Sequence, residues 1–386
     1  MNEGEGVTGH ALPNLRYHAP SMAKSDISAV GEHFILGLRP TVTLHPLDRA
    51  LLADLRPAGI VLFKSNFLHD QPYGVWAEAY RQLIAAVRAA VGRDRLLIGI
   101  DHEGGRVCRT PPPITRFAYA AKWTAQAEAV GRTMGSELAS LGVNLDFAPV
   151  LDIHSNPNNP VIGLRSFGTT AEAVSKAALT FMTALQAQGV LACGKHFPGH
   201  GDTDKDSHHE LPVSRRDLDG LRQRELKPFA AAIQAGVPMI MTSHVMLPEI
   251  DPEAPATLSR RLIHDLLRVE LGFKGVIVSD DVGMHAVSRL FEEPSATVRL
   301  FGAGTDLMMV CAHWTDTERV REFAAALMSA LREGRLAADW DAQSRRRIRD
   351  LLARAPQNPV APLSEDLLAS HRTAGPLFQA ETVETA

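Results

Sequence analysis

Short apolar stretches alternate along the chain with longer stretches in which apolar residues recur at helical spacing. The short stretches are apolar throughout rather than at every second position, which is typical of parallel strands buried on both faces. We predict eight such strands, at 33–38, 59–63, 96–100, 143–151, 190–193, 239–242, 275–278 and 306–310.

The longer stretches predict helices at 76–91, 125–141, 171–188, 218–235, 260–271 and 317–332. Gly142, Gly189 and Gly272 follow helical patterns directly before a strand, as expected where a helix ends. This alternation predicts a single (β/α)8 TIM-type barrel. The structural alternative, a doubly wound open sheet, is disfavoured because no Gly-x-Gly-x-x-Gly motif follows a strand.

Both ends of the chain lack the alternation. We predict an N-terminal extension at 1–30, a barrel at 31–356 and a C-terminal tail at 357–386. The extension holds no apolar run like that of a secretory signal, and no stretch reaches the roughly 20 apolar residues that span a bilayer. We therefore expect a soluble, cytoplasmic protein without a membrane partner.

Composition narrows the class of protein. The chain has 386 residues, 45% of them hydrophobic and 22% charged, enough for a large core and too apolar for a disordered protein. The formal charge of −4 gives no basic surplus for binding nucleic acid, which we do not expect as a partner. Three widely spaced cysteines, Cys108, Cys193 and Cys311, exclude a disulfide scaffold.

Because a barrel carries its chemistry at the C-terminal ends of its strands, polar residues that follow apolar runs are the candidates. Asp101 ends the third run and is followed by Glu103 and Arg109. These residues could bind hydroxyl groups, or Asp101 could brace the loop while the arginines neutralise the acids. Asp280 and Asp281 end the seventh run, where one should face the mouth and the other should brace a neighbour or cap a helix.

The stretch 194–212, GKHFPGHGDTDKDSHHELP, is the densest feature of the chain. Its histidines and carboxylates could bind Zn²⁺. Equally, Asp206 and His208 could act as an acid/base pair in which the carboxylate fixes the imidazole tautomer and raises its basicity. The spacing alone leaves both interpretations open. Arg165 could clamp a hydroxyl or carboxylate, and His244 is more readily explained as a buried histidine that bridges two strands.

Several segments together resemble glycoside hydrolase family 3, specifically its bacterial β-N-acetylglucosaminidase branch. They occur in the family's order over about 210 residues: IDHEGGRVCR (100–109), NLDFAPVLDI (144–153), VIGLRSFG (161–168), KHFPGHGDTDKDSHHELP (195–212), ATLSRRLIHDLLRVELGFKGVIVSDDVGM (256–284) and AGTDLMMV (303–310). The KHFPGHG stretch with its following Asp-Ser-His is the most specific of them.

The resemblance implies a retaining hydrolysis through a covalent glycosyl-enzyme. By carry-over, Asp280 is the nucleophile, and Asp206 with His208 forms the acid/base dyad. The residues that hold the sugar's hydroxyl and acetamido groups would be Asp101, Arg109, Arg165, Lys195 and His196. No metal or organic cofactor is implied. His102 and Cys108 stand where the family pattern leads us to expect glutamine, which bears on aglycone preference more than on reaction class.

The expected activity is that of a β-N-acetylhexosaminidase which releases non-reducing N-acetylglucosamine from anhydro-N-acetylmuramyl peptides during peptidoglycan recycling. We expect a monomer or a weak homodimer. Three alternatives stay open at this point: a family 3 β-glucosidase or a glycoside phosphorylase, a zinc-dependent hydrolase on the same barrel, and a carbohydrate-binding barrel without activity. The last is disfavoured because candidates for nucleophile and dyad are all present.

Overall fold

Eight parallel strands form the centre of the molecule. The computed structural model describes residues 26–203, 211–311, 317–364 and 366–369. The strands are β1 (Phe34–Gly37), β2 (Gly59–Leu62), β3 (Leu97–Ile100), β4 (Leu145–Asp146), β5 (Leu191–Phe197), β6 (Met239–Thr242), β9 (Val276–Val278) and β10 (Met308–Val310). They pair in the order β10-β1-β2-β3-β4-β5-β6-β9, and a parallel bridge between Val278 and Leu307 joins the two ends. The predicted (β/α)8 barrel is confirmed, and the open sheet is wrong.

Helices surround this ring. Their bounds are α1 (Pro46–Leu55), α2 (Tyr73–Val91), α3 (Ala127–Ser140), α4 (Ala171–Gln186), α5 (Leu218–Gln223), α6 (Leu226–Gln234), α7 (His285–Ser288), α8 (Pro294–Gly302), α9 (Thr317–Arg332) and α10 (Trp340–Arg354), with a π-helix at Arg261–Glu270. A small antiparallel hairpin, β7 (Met246–Leu247) with β8 (Asp251–Pro255), follows β6.

Two predicted elements differ from the structure. The predicted helix at 218–235 is two helices, α5 and α6, because Pro228 has no N–H to continue the first helix and fits the first turn of the second. The predicted strand at 143–151 contains a strand of only two residues, β4. The chain beyond β4 nevertheless stays beside β5, since the N–H groups of Cys193 and Lys195 donate to the carbonyl oxygens of Ala148 and Pro149 at 2.9 and 3.1 Å.

Helix α10 covers the N-terminal end of the barrel. Its apolar side chains Ile348, Leu351 and Leu352 belong to the same buried cluster as the residues that fill the barrel interior. At the same end, buried Asp306 accepts hydrogen bonds from Arg268 at 2.8 Å and from Arg347 at 2.7 Å. Apolar packing therefore closes the barrel interior at this end, and a cleft of about 360 Å³ lies outside it, beside α10.

The segments that flank the barrel pack against it. In the turn before β1, Glu32 accepts a hydrogen bond from Arg349 of α10 at 3.1 Å. Beyond α10, the N–H of Ala361 donates to the carbonyl oxygen of Ser140 at 2.7 Å.

No helix in the described ranges is both long enough and apolar enough to cross a membrane. All three cysteines are free, as predicted.

Candidate active site

A cavity of about 550 Å³ opens at the C-terminal ends of the strands. All five predicted sugar-binding residues and the predicted nucleophile line it: Asp101, Arg109, Arg165, Lys195, His196 and Asp280. Because these residues follow or end different strands, only a closed barrel brings them to one mouth. Glu103, Asp281 and His200 line the cavity as well.

A buried ion network occupies the side of the cavity formed by β3 and β5. The ammonium group of Lys195 lies 2.7 Å from Asp101 Oδ1 and 2.6 Å from Glu103 Oε1. Arg165 donates to both oxygens of Glu103, at 2.7 and 2.8 Å. Arg109 is more distant, with 3.8 Å between Nη2 and Asp101 Oδ2. The side chains of Glu103 and Lys195 are 4% and 2% exposed, so water hardly screens the attraction between these two.

The network fixes the charge of its members. Burial raises the pKa of Asp101, but the charges of Lys195 and Arg109 outweigh burial and hold that pKa below its usual range. Burial likewise opposes the charge of Glu103, and Arg165 together with Lys195 lowers its pKa far below the usual range. Burial lowers the pKa of Lys195, but the two carboxylates outweigh burial and raise that pKa above its usual range. The site therefore presents a permanently charged surface that can both donate to hydroxyl groups and accept from them.

Asp280 and Asp281 differ in their surroundings. Asp281 Oδ1 accepts hydrogen bonds from the backbone N–H groups of Gly283 at 2.9 Å and of Cys311 at 2.8 Å. The Asp280 carboxylate accepts a local hydrogen bond, from the backbone N–H of Asp281 at 2.8 Å. Asp281 is thus the bracing member of the pair. Buried His244 bridges β6 to this turn through Nε2, 3.0 Å from the carbonyl oxygen of Asp281.

Asp152 is a site residue that the sequence analysis missed. Its carboxylate is fully buried and lies 2.6 Å from Nδ1 of His196. The N–H of His200 also donates to it, at 2.7 Å. Its position could have identified it, because Asp152 follows the fourth apolar run directly, as Asp101 follows the third.

Asp206 and His208, the predicted dyad, lie outside the described residues. The chain before them is well anchored: Asn159 Nδ2 donates to the carbonyl oxygens of His200 and Thr203, at 2.9 Å each. Asp202 pairs with Arg216 at 2.9 Å, across the undescribed segment. Within the described ranges, no group of three or more histidine, cysteine, aspartate or glutamate side chains is placed to hold a metal ion.

A closed (β/α)8 barrel whose mouth combines carboxylates with hydroxyl-binding cations is an arrangement suited to a glycoside hydrolase. The comparison with protein families agrees with this class. Residues 38–351 match the model of the glycosyl hydrolase family 3 N-terminal domain. The chain belongs to glycosyl hydrolase family 3.

Curated relatives of this chain include proteins named β-hexosaminidase. It is 36% identical over 343 residues to β-hexosaminidase A of Pseudoalteromonas piscicida, an alignment that covers 83% of this chain and 57% of that protein. The chain thus spans just over half the length of that relative. It is 34% identical over 339 residues to a β-hexosaminidase of Thiobacillus denitrificans, with 85% of this chain and 87% of that protein covered.

A solved structure shows the same fold. The glycoside hydrolase family 3 β-N-acetylglucosaminidase from Paenibacillus sp. matches with a TM-score of 0.80 and 33% sequence identity. The match covers 90% of this chain and 68% of that chain.

Proposed function

We propose that this protein is a retaining β-N-acetylhexosaminidase that removes N-acetylglucosamine from the non-reducing end of a glycan. The observation that carries the proposal is the cavity in which Asp280 opens onto the same space as the Asp101–Lys195–Glu103–Arg165 network. A carboxylate nucleophile beside fixed hydroxyl-binding charges is what a glycosidase needs. The β-hexosaminidase relatives support the choice of an N-acetylated sugar.

In the first step, an oxygen of Asp280 attacks the anomeric carbon. The bond from that carbon to the glycosidic oxygen breaks, and this oxygen takes a proton from His208 as the aglycone leaves. In the second step, His208 removes a proton from water, whose oxygen attacks the same carbon and releases Asp280. Two displacements at one carbon retain its configuration. Asp206 would orient the His208 imidazole and stabilise its cationic form.

The ion network would hold the sugar before reaction. Asp101 accepts from hydroxyl groups, while Lys195 and Arg109 donate to them, and Arg165 and His196 complete the set around the hydroxyl and acetamido groups. Because Glu103 already binds Lys195 and Arg165 at 2.6 to 2.8 Å, these cations keep their positions when no sugar is present. Such preorganisation reduces the entropy that binding must remove.

We further propose that the natural substrates are N-acetylglucosaminyl-anhydro-N-acetylmuramyl peptides, released during peptidoglycan recycling in the cytoplasm. These aglycones are anionic. A histidine acid becomes neutral when it gives up its proton, whereas a carboxylic acid would become a second anion beside the leaving group. Arg106, which is exposed, lines the cavity and donates to the carbonyl oxygen of Val161, also favours an anionic ligand.

Trapping the covalent intermediate tests the proposal directly. A 5-fluoro-N-acetylglucosaminyl fluoride reacts slowly because the ring fluorine destabilises the cationic transition states of both steps. We expect the protein mass to increase by one fluorosugar and the label to map to the peptide containing Asp280. A label on another carboxylate, or none while aryl N-acetylglucosaminide is hydrolysed, would contradict the covalent-aspartate mechanism.

Hydrolysis of an aryl N-acetylglucosaminide separates the proposed activity from a phosphorylase and from a metal-dependent enzyme. Hydrolysis is run with and without inorganic phosphate, and with and without a chelator. N-acetylglucosamine should be the product in each case, at the same rate. Sugar 1-phosphate as the main product would identify a phosphorylase, and loss of activity on chelation with recovery on added zinc would identify a metal-dependent enzyme.

A further inference from the structure

Asp152 lies behind the sugar-binding surface rather than on it. Its side chain is fully buried and is not among the residues that line the cavity. The nearest cavity residue that it contacts is His196, whose side chain is 9% exposed. Any effect of Asp152 on a bound sugar must therefore pass through another residue.

The carboxylate of Asp152 is surrounded by donors. Oδ1 accepts from the backbone N–H of His200 at 2.7 Å, and Oδ2 accepts from the backbone N–H of His196 at 3.2 Å. Backbone N–H groups can only donate, so both oxygens act as acceptors. Burial raises the pKa of Asp152, but His196 and His200 outweigh it and lower that pKa below its usual range. The group is ionised and has no proton to donate.

This charge state decides the contact with the imidazole. Oδ2 lies 2.6 Å from Nδ1 of His196, a hydrogen-bond distance. Since Asp152 cannot supply the proton, Nδ1 must carry it. In the neutral ring the other nitrogen, Nε2, then has a free lone pair.

We propose that Asp152 is a positioning residue that holds the His196 ring as the Nδ1–H tautomer, so that Nε2 accepts a hydrogen bond from a sugar hydroxyl in the cavity. This inference rests on the proposed function for the identity of the ligand, a sugar. It gives His196 a role different from that of its neighbours. Lys195, Arg109 and Arg165 can only donate, and Asp101 accepts through a carboxylate, whereas His196 would accept through a ring nitrogen.

An imidazole acceptor has a consequence for specificity. A hydroxyl group that accepts from a cation of the network can donate its own proton to Nε2, so both of its hydrogen-bonding functions are used. A substituent that accepts but cannot donate, such as fluorine, would leave Nε2 without a partner. The site should therefore discriminate between hydroxyl and fluorine at the ring position that faces His196.

Asp152→Asn is the informative variant, because it keeps the shape of the side chain and one oxygen acceptor for the backbone N–H groups. Its amide N–H₂ would then face Nδ1, which must become the acceptor, and the ring proton moves to Nε2. We expect kcat/KM to fall between about 10- and 100-fold. Asp306→Asn is the matched control: Asp306 is also a fully buried carboxylate that binds backbone and side-chain donors, but it lies at the opposite end of the barrel.

The first measurement needs no substrate. Nitrogen-15 spectra of the histidine rings, with the His196 signal assigned from a His196→Gln variant, report which nitrogen carries the proton. We expect Nδ1–H alone in the wild type and in Asp306→Asn, and Nε2–H in Asp152→Asn. A proton on Nε2 in the wild-type protein, in either a neutral or a cationic ring, would overturn the inference whatever the enzyme's activity.

The second measurement compares an aryl β-N-acetylglucosaminide with its 3-, 4- and 6-deoxyfluoro analogues. In the wild type and in Asp306→Asn, one position should show a clear loss of kcat/KM, on the order of tenfold, on replacing hydroxyl by fluorine. In Asp152→Asn that loss should shrink, because Nε2–H now donates. An unchanged fluorine pattern in Asp152→Asn would overturn the inference. A wild-type enzyme that hydrolyses none of these glycosides would instead contradict the proposed function.

Discussion

Asp281 Oδ1 accepts a hydrogen bond from the backbone N–H of Cys311 at 2.8 Å, which ties the turn after β9 to the end of β10. The same oxygen also accepts the N–H of Gly283. Asp281 therefore braces this turn, whereas its neighbour Asp280 lines the cavity and accepts the local N–H of Asp281. The two adjacent acids therefore have separate tasks, and exchanging each for a neutral side chain should have different results.

Asp280→Ala should remove more than about 99.9% of turnover while the protein still folds, because the variant lacks the proposed nucleophile. Added azide should restore part of the rate with activated aryl substrates, giving the α-glycosyl azide by a single displacement. Product analysis by NMR checks the configuration. Asp281→Asn keeps an oxygen acceptor for Cys311 and should retain far more activity. Wild-type turnover in Asp280→Ala would exclude this nucleophile.

Glu103→Gln should destabilise the protein by about 3 kcal/mol, because it leaves the buried cations Lys195 and Arg165 with an uncompensated charge. Urea unfolding at pH 7 measures the change. Glu78→Gln, which removes an exposed ion pair with Arg81 on α2, is the control and should leave stability nearly unchanged. Equal effects of the two substitutions would mean that the buried network contributes no special stability.

The Glu103 effect should also depend on pH. The folded-state pKa of Glu103 lies below its unfolded value, so its stabilisation is complete above the unfolded pKa of about 4.3. That stabilisation is lost as the pH falls toward the lower folded-state pKa. The difference in unfolding free energy between wild type and Glu103→Gln should therefore be largest near neutral pH and shrink below pH 4. A difference that grew in acid would contradict the pKa assignment.

His102 should make the protein sensitive to mild acid. Neither of its ring nitrogens has a hydrogen-bond partner among the described residues, and burial lowers its pKa to about 4. Because the unfolded chain takes up a proton near pH 6.5 and the folded protein does not, stability is lost as the pH falls from 6.5 to 4, by up to about 3 kcal/mol. His102→Gln should lose correspondingly less stability over this range. Parallel curves of unfolding free energy against pH would refute the prediction.

His208→Ala should slow the hydrolysis of substrates with poor leaving groups much more than that of activated aryl glycosides, which need little protonation as they depart. The measurement is kcat/KM across a series of aryl N-acetylglucosaminides whose phenols differ in pKa. The variant should show a steeper dependence on that pKa than the wild type. An equal loss for every leaving group would argue against the acid role.

Much of the fold could be predicted from the sequence because parallel strands buried on both faces appear as continuous apolar runs. All eight predicted runs contain or overlap a strand of the ring. Helix α10 escaped prediction because its five arginines leave only a narrow apolar stripe, and its partner surface is the end of a barrel that exists only after the strands have closed. An element whose burial depends on tertiary structure has a weak local signal.

The candidate site likewise has residues that the sequence could predict and contacts that it could not. Asp101, Lys195 and Asp280 were accessible to prediction because each lies at or beyond a strand end, where a barrel gathers its functional groups. The pairing of Glu103 with Arg165 could not be predicted, because the two residues are 62 positions apart and only the folded loops bring them to 2.7 Å. Asp152 was missed for a related reason. Its partner His196 lies 44 residues away, and nothing in the sequence links the two.

Because α10 closes the N-terminal end of the barrel interior, the active-site cavity opens at the C-terminal end alone within the described structure. Ile348, Leu351 and Leu352 block the far end, so reactants and products must share the mouth. In the proposed mechanism, the aglycone leaves through the mouth of the barrel before a water molecule can occupy the aglycone's position beside the glycosyl-enzyme. The shared opening, as well as the chemistry, then sets the order of the two steps. An alcohol that enters the cavity in place of water would compete with water for the glycosyl group.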